Sequence, residues 1–353
     1  MKKILPLLFL FSILAAEISI SGDARFRPRL DIKKNDDGKS TSDMYYLYRA
    51  RLNLKADIGE GWFFSTKLSS NEIANMTKMG NNYASTYLEG PGNTNSSRPS
   101  VNFTELYFGY QNDRCGFWVG AFPIKNNPAL DLHFYSNKLV DIPFILYNFS
   151  SVTGVGGFKT LFSQKINWFL SVDSNSTNKT EESINENTEI TELSDAYTYG
   201  ADTQLSFGPL SVVPRVLLSF GGNDKSNNNI GAVTFGGDIK LPKLAGISSS
   251  VSYHYSVDRS DDGYSGDHLR ALATYSLKEN GKVKFFYDLA TKDNDSVSFM
   301  WLSYTYTCFK GDFGSVTISP TIRIQSGKEA GNCCYDDQYQ RSKFELTTQI
   351  NFK

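Results

Sequence analysis

Residues 18–31 read ISISGDARFRPRLD, and this stretch decides the fold because apolar and polar side chains alternate along it. The even positions are apolar or small, whereas the odd positions are polar, with arginine at 25, 27 and 29. Successive side chains of a β-strand point to opposite faces, so the stretch predicts a strand with one apolar and one charged face. Residues 44–58 repeat the pattern. At about 14 residues each, such strands are much longer than those of soluble sheets.

The same alternation recurs to the end of the chain and predicts about sixteen strands. They lie near residues 17–31, 43–58, 61–70, 101–111, 115–123, 152–161, 165–174, 196–208, 210–220, 231–241, 246–258, 267–278, 282–290, 296–307, 313–326 and 341–353. In 152–161 and 296–307 the two faces are hard to tell apart, because both carry apolar groups. Tight links such as Gly59-Glu60 and Cys308–Asp312 alternate with long polar links at 71–100, 124–151 and 175–195. Such alternation of short and long links is expected when every strand is antiparallel to its neighbours.

The long strands favour a membrane barrel over a soluble β-sandwich. A sandwich also alternates, but its strands are shorter and its loops show no such parity. In lipid every backbone N–H and C=O must pair within the sheet, so the sheet has to close. We therefore predict an all-β fold over residues 17–353, a transmembrane antiparallel β-barrel of about 16 strands with short periplasmic turns and long extracellular loops.

The N-terminus predicts export. Lys2 and Lys3 precede the apolar run Ile4–Phe11, and Leu14–Ala16 offers a small-residue cleavage site. Residues 1–16 are therefore interpreted as a signal peptide, with a short buried helix as the alternative. The apolar run is shorter than the roughly 20 residues that a membrane helix needs. With 36 Lys+Arg against 37 Asp+Glu, the charge balance indicates no nucleic-acid partner.

The cysteine and histidine content predicts no cofactor. Cys115, Cys308, Cys333 and Cys334 form no CxxC motif, and the chain contains three histidines without metal-ligand spacing. The adjacent pair at 333 and 334 is compatible with a vicinal disulfide or with two free thiols. We assign the four cysteines no function.

Taken together, the chain resembles the bacterial general porins, the trimeric 16-stranded channels of the outer membrane. The stretch Phe103–Phe122, FTELYFGYQNDRCGFWVGAF, looks like the strand–turn–strand that precedes the third loop of that family. The resemblance implies that residues 124–151 fold into the lumen as a constriction loop and that 71–100 contact a neighbouring subunit of a homotrimer. The third loop differs from the PEFGG-type sequence of the family, and the chain ends in Lys353 where the family usually ends in Phe.

The polar face of each strand predicts the channel lining. The first three strands are adjacent, so their cations form one predicted patch: Arg25, Arg27, Arg29, Arg49, Arg51, Lys55 and Lys67. Other predicted lining residues are of mixed sign and include Glu105 on the fourth strand. By the porin resemblance, Asp131 and Asp141 on the inserted loop would face this patch. Such a wall would set ion preference, and we expect weak anion preference or near-neutral selectivity. The alternative is that these arginines form only a solvated inner wall or lie near the rim.

The predicted function is a porin of the Gram-negative outer membrane. It would sit in outer-membrane lipid and let small hydrophilic solutes and ions diffuse passively. A substrate-selective channel, or a surface adhesin or antigen on the same barrel, is the alternative, since long loops can serve recognition. An enzyme is not expected, because the sequence has no GxSxG motif and His254 lies among serines on one polar strand face.

Overall fold

Strands make up the regular structure of this computed structural model. It describes residues 17–35, 38–70, 76–79, 101–124, 151–177, 193–221, 232–258, 265–277, 280–292, 295–330 and 336–353. The first nine strands are β1 (Glu17–Asn35), β2 (Ser40–Gly59), β3 (Trp62–Ser69), β4 (Thr77–Lys78), β5 (Asn102–Gln111), β6 (Cys115–Pro123), β7 (Ser151–Leu161), β8 (Gln164–Thr177) and β9 (Leu193–Thr203). The other nine are β10 (Leu205–Phe207), β11 (Leu210–Gly221), β12 (Ala232–Lys240), β13 (Ile247–Asp258), β14 (Ser265–Leu277), β15 (Gly281–Lys292), β16 (Asp295–Gly311), β17 (Gly314–Ala330) and β18 (Asp336–Phe352). Among these residues, no helix is long and apolar enough to cross a membrane.

The eighteen segments form sixteen barrel strands. β3 and β4 both pair with β2, so β4 continues the strand that β3 begins. In the same way β9 and β10 both pair with β11, and the break between them falls at Gln204. β1 pairs with β2 on one side and with β18 on the other, which closes the antiparallel sheet. The predicted antiparallel β-barrel of about sixteen strands is confirmed.

Two of the short links are tight because consecutive residues adopt left-handed backbone angles. Glu60 and Gly61 between β2 and β3 have φ values of 54° and 90°, and Phe162 and Ser163 between β7 and β8 have 49° and 66°. Two consecutive positive φ values are typical of a type I′ turn, whose twist matches that of the flanking strands. The predicted bounds of the link Cys308–Asp312 were wrong. The strand before the last short link continues to Gly311, so only Asp312 and Phe313 turn there, because its hydrogen-bonded ladder runs past Cys308.

The chain divides into two compact units. The first contains Met1–Tyr110, Ala273–Phe286 and Phe299–Lys353, and the second contains Gln111–Leu272 and Tyr287–Ser298. The proposed signal peptide lies outside the described residues, as does most of each of the links 71–100, 124–151 and 175–195. The last of these links is shorter than predicted, because β8 continues to Thr177 and β9 begins at Leu193.

Apolar side chains lie on the outer face in both units. In the first unit Ile20 and Leu346 are half exposed, whereas Glu345 is buried on the opposite face. In the second unit Tyr253 is half exposed and the neighbouring His254 is buried. The alternation of the sequence thus predicted correctly which residues of these strands face outward. An outer apolar face around a polar inner face is the reverse of a soluble protein's arrangement.

Candidate functional site

Charged side chains cover the inner face of four neighbouring strands of the first unit. β17 pairs with β18, β18 with β1, and β1 with β2, so their side chains meet in register. Eight cations and three carboxylates are the buried or half-buried charged residues that the structure describes on these strands. This set, which we call the arginine wall, is Arg25, Arg27, Arg29, Arg49, Arg51, Arg323, Arg341 and Lys343 with Asp23, Asp31 and Glu345. The wall carries an excess of positive charge.

Asp23 is shared by three guanidinium groups. Arg51 Nη2 lies 2.5 Å from Asp23 Oδ1, and Arg49 Nη2 lies 3.4 Å from Oδ2. Arg25 Nε is farther away, at 3.8 Å from Oδ2, and donates its hydrogen bond to Gln349 Oε1 at 2.7 Å. One carboxylate therefore neutralises one of three cations, and this part of the wall stays positive.

Glu345 occupies a similar position between β1 and β17. Its side chain is fully buried, with Arg29 Nη2 2.5 Å from Oε1 and Arg323 Nη2 2.7 Å from Oε2. Arg27 Nε lies 3.8 Å from Oε2 and also donates to Thr347 Oγ1 at 2.8 Å. Burial strengthens these attractions, because a water-poor environment screens charge less than bulk solvent does.

Asp31 completes the set of shared carboxylates. Arg341 binds it with two nitrogens, Nε to Oδ1 at 2.8 Å and Nη2 to Oδ2 at 2.5 Å. Lys343 Nζ lies 3.7 Å from Oδ2, and the Tyr45 hydroxyl donates to Oδ2 at 3.3 Å. Arg29 Nη1 in turn donates to the Tyr45 oxygen at 3.2 Å. These contacts link the wall into a network that holds most of its cations in fixed positions.

The structure brings together five of the predicted channel-lining residues. Arg25, Arg27, Arg29, Arg49 and Arg51 all belong to the arginine wall. Their role in lining a conducting pore stays a prediction.

Three other predicted residues, Lys55, Lys67 and Glu105, lie outside the arginine wall. Lys67 and Glu105 form an ion pair with each other on the adjacent strands β3 and β5. Lys55 is exposed farther along β2. Asp131 and Asp141 lie outside the described residues, so the predicted acidic partners of the wall stay a prediction.

The prediction of the site missed the acidic partners and two of the cations on β18. Asp23, Asp31 and Glu345 are the carboxylates around which the arginines are arranged, and Arg341 and Lys343 come from the last strand. Closure of the sheet provides the signal that could have found the β18 residues, because it places the last strand beside the first.

A second group of buried polar side chains lies within the second unit. Arg215 contacts Asp238 at 2.9 Å and His254 Nε2 at 3.1 Å. On the neighbouring strands, Asp288 accepts from Arg270 Nε at 2.5 Å and Nη2 at 2.8 Å, and it lies 3.2 Å from His268 Nε2. Each carboxylate here has an arginine partner, so these ion pairs nearly balance.

His254 has a partner that does not suit a catalytic base. The ring nitrogen Nε2 lies beside the Arg215 guanidinium, which can only donate. A base that activates a serine needs that nitrogen for the hydroxyl and needs a third group to orient the ring. The contact thus gives the enzyme alternative no support.

Aromatic rings also point inward in the second unit. Trp118 packs against Phe122 and Phe158, with ring centroids 6.2 Å and 6.4 Å apart. A Cβ on Gly116 would stand 2.7 Å from the Phe158 ring, and one on Gly156 would stand 2.7 Å from Trp118 Nε1. A side chain at either position would therefore force the neighbouring ring to shift, so glycine lets the rings pack close to the backbone.

The first unit has an inward aromatic group of its own. Phe286 packs against Phe299 at 5.7 Å and against Trp301 at 4.8 Å between ring centroids. Arg323 stacks on Trp301, with its Cζ 3.8 Å from the ring centroid. The stack is a cation–π contact that helps to fix an arginine of the wall in place.

The described residues contain no group of three His, Cys, Asp or Glu that could hold a metal ion. Cys115 and Cys308 are free thiols, one half-buried and one exposed. Cys333 and Cys334 lie outside the described residues.

Solved structures of outer-membrane proteins match nearly the whole chain. The anion-selective porin from Comamonas acidovorans matches with a TM-score of 0.61 at 11% identity, over 96% of this chain and 100% of that chain. The outer membrane channel DcaP of Acinetobacter baumannii matches with a TM-score of 0.59 at 14% identity, over 96% and 98%. OmpT of Vibrio cholerae, an outer membrane protein in a trimer form, matches with a TM-score of 0.54 at 11% identity, over 96% and 100%.

No protein-family model and no curated protein matches the sequence. At identities this low the likeness concerns the fold alone. The chain has the fold of outer-membrane porins.

Proposed function

We propose that this protein is a channel of the Gram-negative outer membrane through which small hydrophilic solutes and ions diffuse passively, with a preference for anions. One observation carries the proposal: the closed sheet turns apolar side chains outward and an arginine-rich face inward. An apolar outer surface suits contact with hydrocarbon, and an arginine-rich inner surface suits contact with water and anions. The fold it shares with an anion-selective porin supports the same function.

The proposal includes three parts of the chain's organisation. Residues 1–16 act as the export signal, and residues 124–151 fold into the lumen to narrow it. Three copies assemble into a homotrimer, as the trimer form of the Vibrio cholerae protein with this fold suggests. Cross-linking of the purified protein in detergent should give a trimer band, and a band of one subunit alone would contradict this assembly.

Recording in planar lipid bilayers tests the channel function. The purified mature protein should produce discrete conductance steps whose size rises linearly with KCl concentration. Under a KCl gradient the reversal potential should have the sign of an anion-preferring pore. Absence of steps would contradict the proposal, as would a protein that stays dispersed and monomeric in buffer without detergent. Saturation with a neutral sugar would instead favour the substrate-selective channel.

Ile322 tests whether the outer face lies in lipid. It is half exposed on β17 and pairs with Phe344, near the middle of a 17-residue strand. Ile322→Arg should lower the free energy of unfolding by about 2–4 kcal/mol, because it moves a charge into hydrocarbon. Urea unfolding in lipid vesicles, followed by tryptophan fluorescence, measures the change.

Thr317→Arg provides the matched control for that variant. Thr317 lies on the same strand but on the opposite face, where it pairs with Gln349 of β18. The same charge there should change the free energy of unfolding by less than about 1 kcal/mol, because water can hydrate it. Equal losses at both positions would argue against a lipid-facing outer surface.

A further inference from the structure

Two arginines of the wall keep part of their hydrogen-bonding capacity unused. Arg25 uses Nε for Gln349, and Arg51 uses Nε and Nη2 for Asp23 Oδ1. Within the part of the chain that the structure describes, both terminal nitrogens of Arg25 and Nη1 of Arg51 have no hydrogen-bond partner. Their side chains are 27% and 24% exposed, more than Arg27, Arg29, Arg49 and Arg323 of the wall. These donors therefore face solvent on the inner side.

The two guanidinium groups lie close together. Arg25 and Arg51 both approach Asp23, and Arg49, which pairs with Arg25 across the two strands, adds a third cation beside them. Asp23 already bonds Arg51 and Arg49, so it leaves Arg25 largely uncompensated. Gln349 holds the Arg25 Nε in place without adding negative charge. The result is a fixed pair of cations with open donors.

We propose that Arg25 and Arg51 form a binding site for the oxyanion group, phosphate or carboxylate, of a small solute. The site rests on the proposed channel function and gives it a substrate class. A guanidinium donates two parallel N–H groups that fit two oxygens of one oxyanion, which a chloride ion cannot accept in the same way. Oxyanions thus bind at this point of the wall, whereas chloride passes it. The uncompensated positive charge attracts oxyanions and chloride alike, and the geometry of the N–H donors distinguishes the two.

Competition between phosphate and chloride tests the site. Inorganic phosphate, added to the mature channel in a KCl bilayer, should reduce the chloride conductance in a saturable way. The double variant Arg25→Lys with Arg51→Lys keeps both charges but lacks the planar fork. It should need at least about ten times more phosphate for half inhibition, with the same reversal potential in KCl alone. Acetate in place of phosphate shows whether a planar carboxylate is also bound.

Arg114→Lys serves as the control, because Arg114 is exposed in the short turn between β5 and β6. It should leave phosphate inhibition unchanged. A chloride conductance that phosphate does not affect, or a double-lysine variant that stays equally sensitive, would overturn the site while the channel function survives. If the parent gives no conductance at all, the channel function fails. Calorimetric titration of the detergent-solubilised barrel with phosphate then tests the binding site separately. Heat of binding in the parent that is absent in the double-lysine variant would support the site. Absence of heat in the parent would overturn it.

Discussion

Replacing Glu345 by glutamine is expected to lower the free energy of unfolding by about 3–5 kcal/mol, because it leaves buried guanidinium groups without their counter-charge. Glu345 is fully buried and lies 2.5 Å from Arg29 and 2.7 Å from Arg323, with Arg27 at 3.8 Å. These arginine side chains are themselves 3% to 12% exposed, so water cannot replace the lost carboxylate. Urea unfolding of the folded barrel in lipid vesicles measures the change.

Glu105→Gln is the matched control for this variant. Glu105 pairs with Lys67 alone, and the Lys67 side chain is 21% exposed. Loss of that carboxylate should cost less than about 2 kcal/mol, because water can reach and hydrate one partly exposed ammonium group. Adding Arg323→Gln to Glu345→Gln should recover part of the lost stability, since it removes one of the unpaired charges. A single Glu345→Gln variant as stable as the parent would show that the wall does not depend on this carboxylate.

The sequence predicted the fold and the facing of the strands because the physics is local. A period of two assigns each side chain of β1 and β2 to a face without knowledge of any partner strand. The predicted arginines at 25, 27, 29, 49 and 51 therefore all lie on the inner side. Pairing between β1 and β2 could also be expected, because consecutive strands are neighbours in an antiparallel barrel.

Other features depend on contacts between residues far apart in the chain. Arg29 meets Glu345 only because the last strand closes against the first, and alternation within one strand carries no record of that pairing. On β5 the register shifts opposite Lys67 and Leu68, so Thr104 and Glu105 are both buried. Such a bulge interrupts the period of two without a mark in the sequence.

Apolar residues on the inner face explain why two predicted strands were ambiguous. Phe158 of 152–161 and Phe299 of 296–307 point inward and pack against other aromatic rings. Hydrophobicity alone would assign both phenylalanines to the lipid-facing side of their strands, whereas the structure places them on the inner side. Their partners, Trp118 and Phe286, come from other strands, so the packing that settles their direction is not visible in either stretch by itself.

The excess charge of the arginine wall should control ion preference. Replacing Arg25, Arg27, Arg49 and Arg51 by glutamine removes four of the wall's eight cations and leaves Asp23 without a partner. Four cations then face three carboxylates, which makes the wall nearly neutral. The anion-to-cation permeability ratio, obtained from the reversal potential under a KCl gradient, should fall by at least about threefold, since fixed charges within a Debye length set the local ion concentration.

The same four positions changed to lysine separate charge from structure. Lysine keeps every positive charge but loses the paired N–H groups of arginine. This variant should retain the anion preference, because selectivity from fixed charge depends on the sign and number of charges and not on donor geometry. An unchanged reversal potential in the glutamine variant would remove the arginine wall from the conducting path. Equal loss in the lysine and glutamine variants would instead show that the network of hydrogen bonds, and not its charge, maintains the preference.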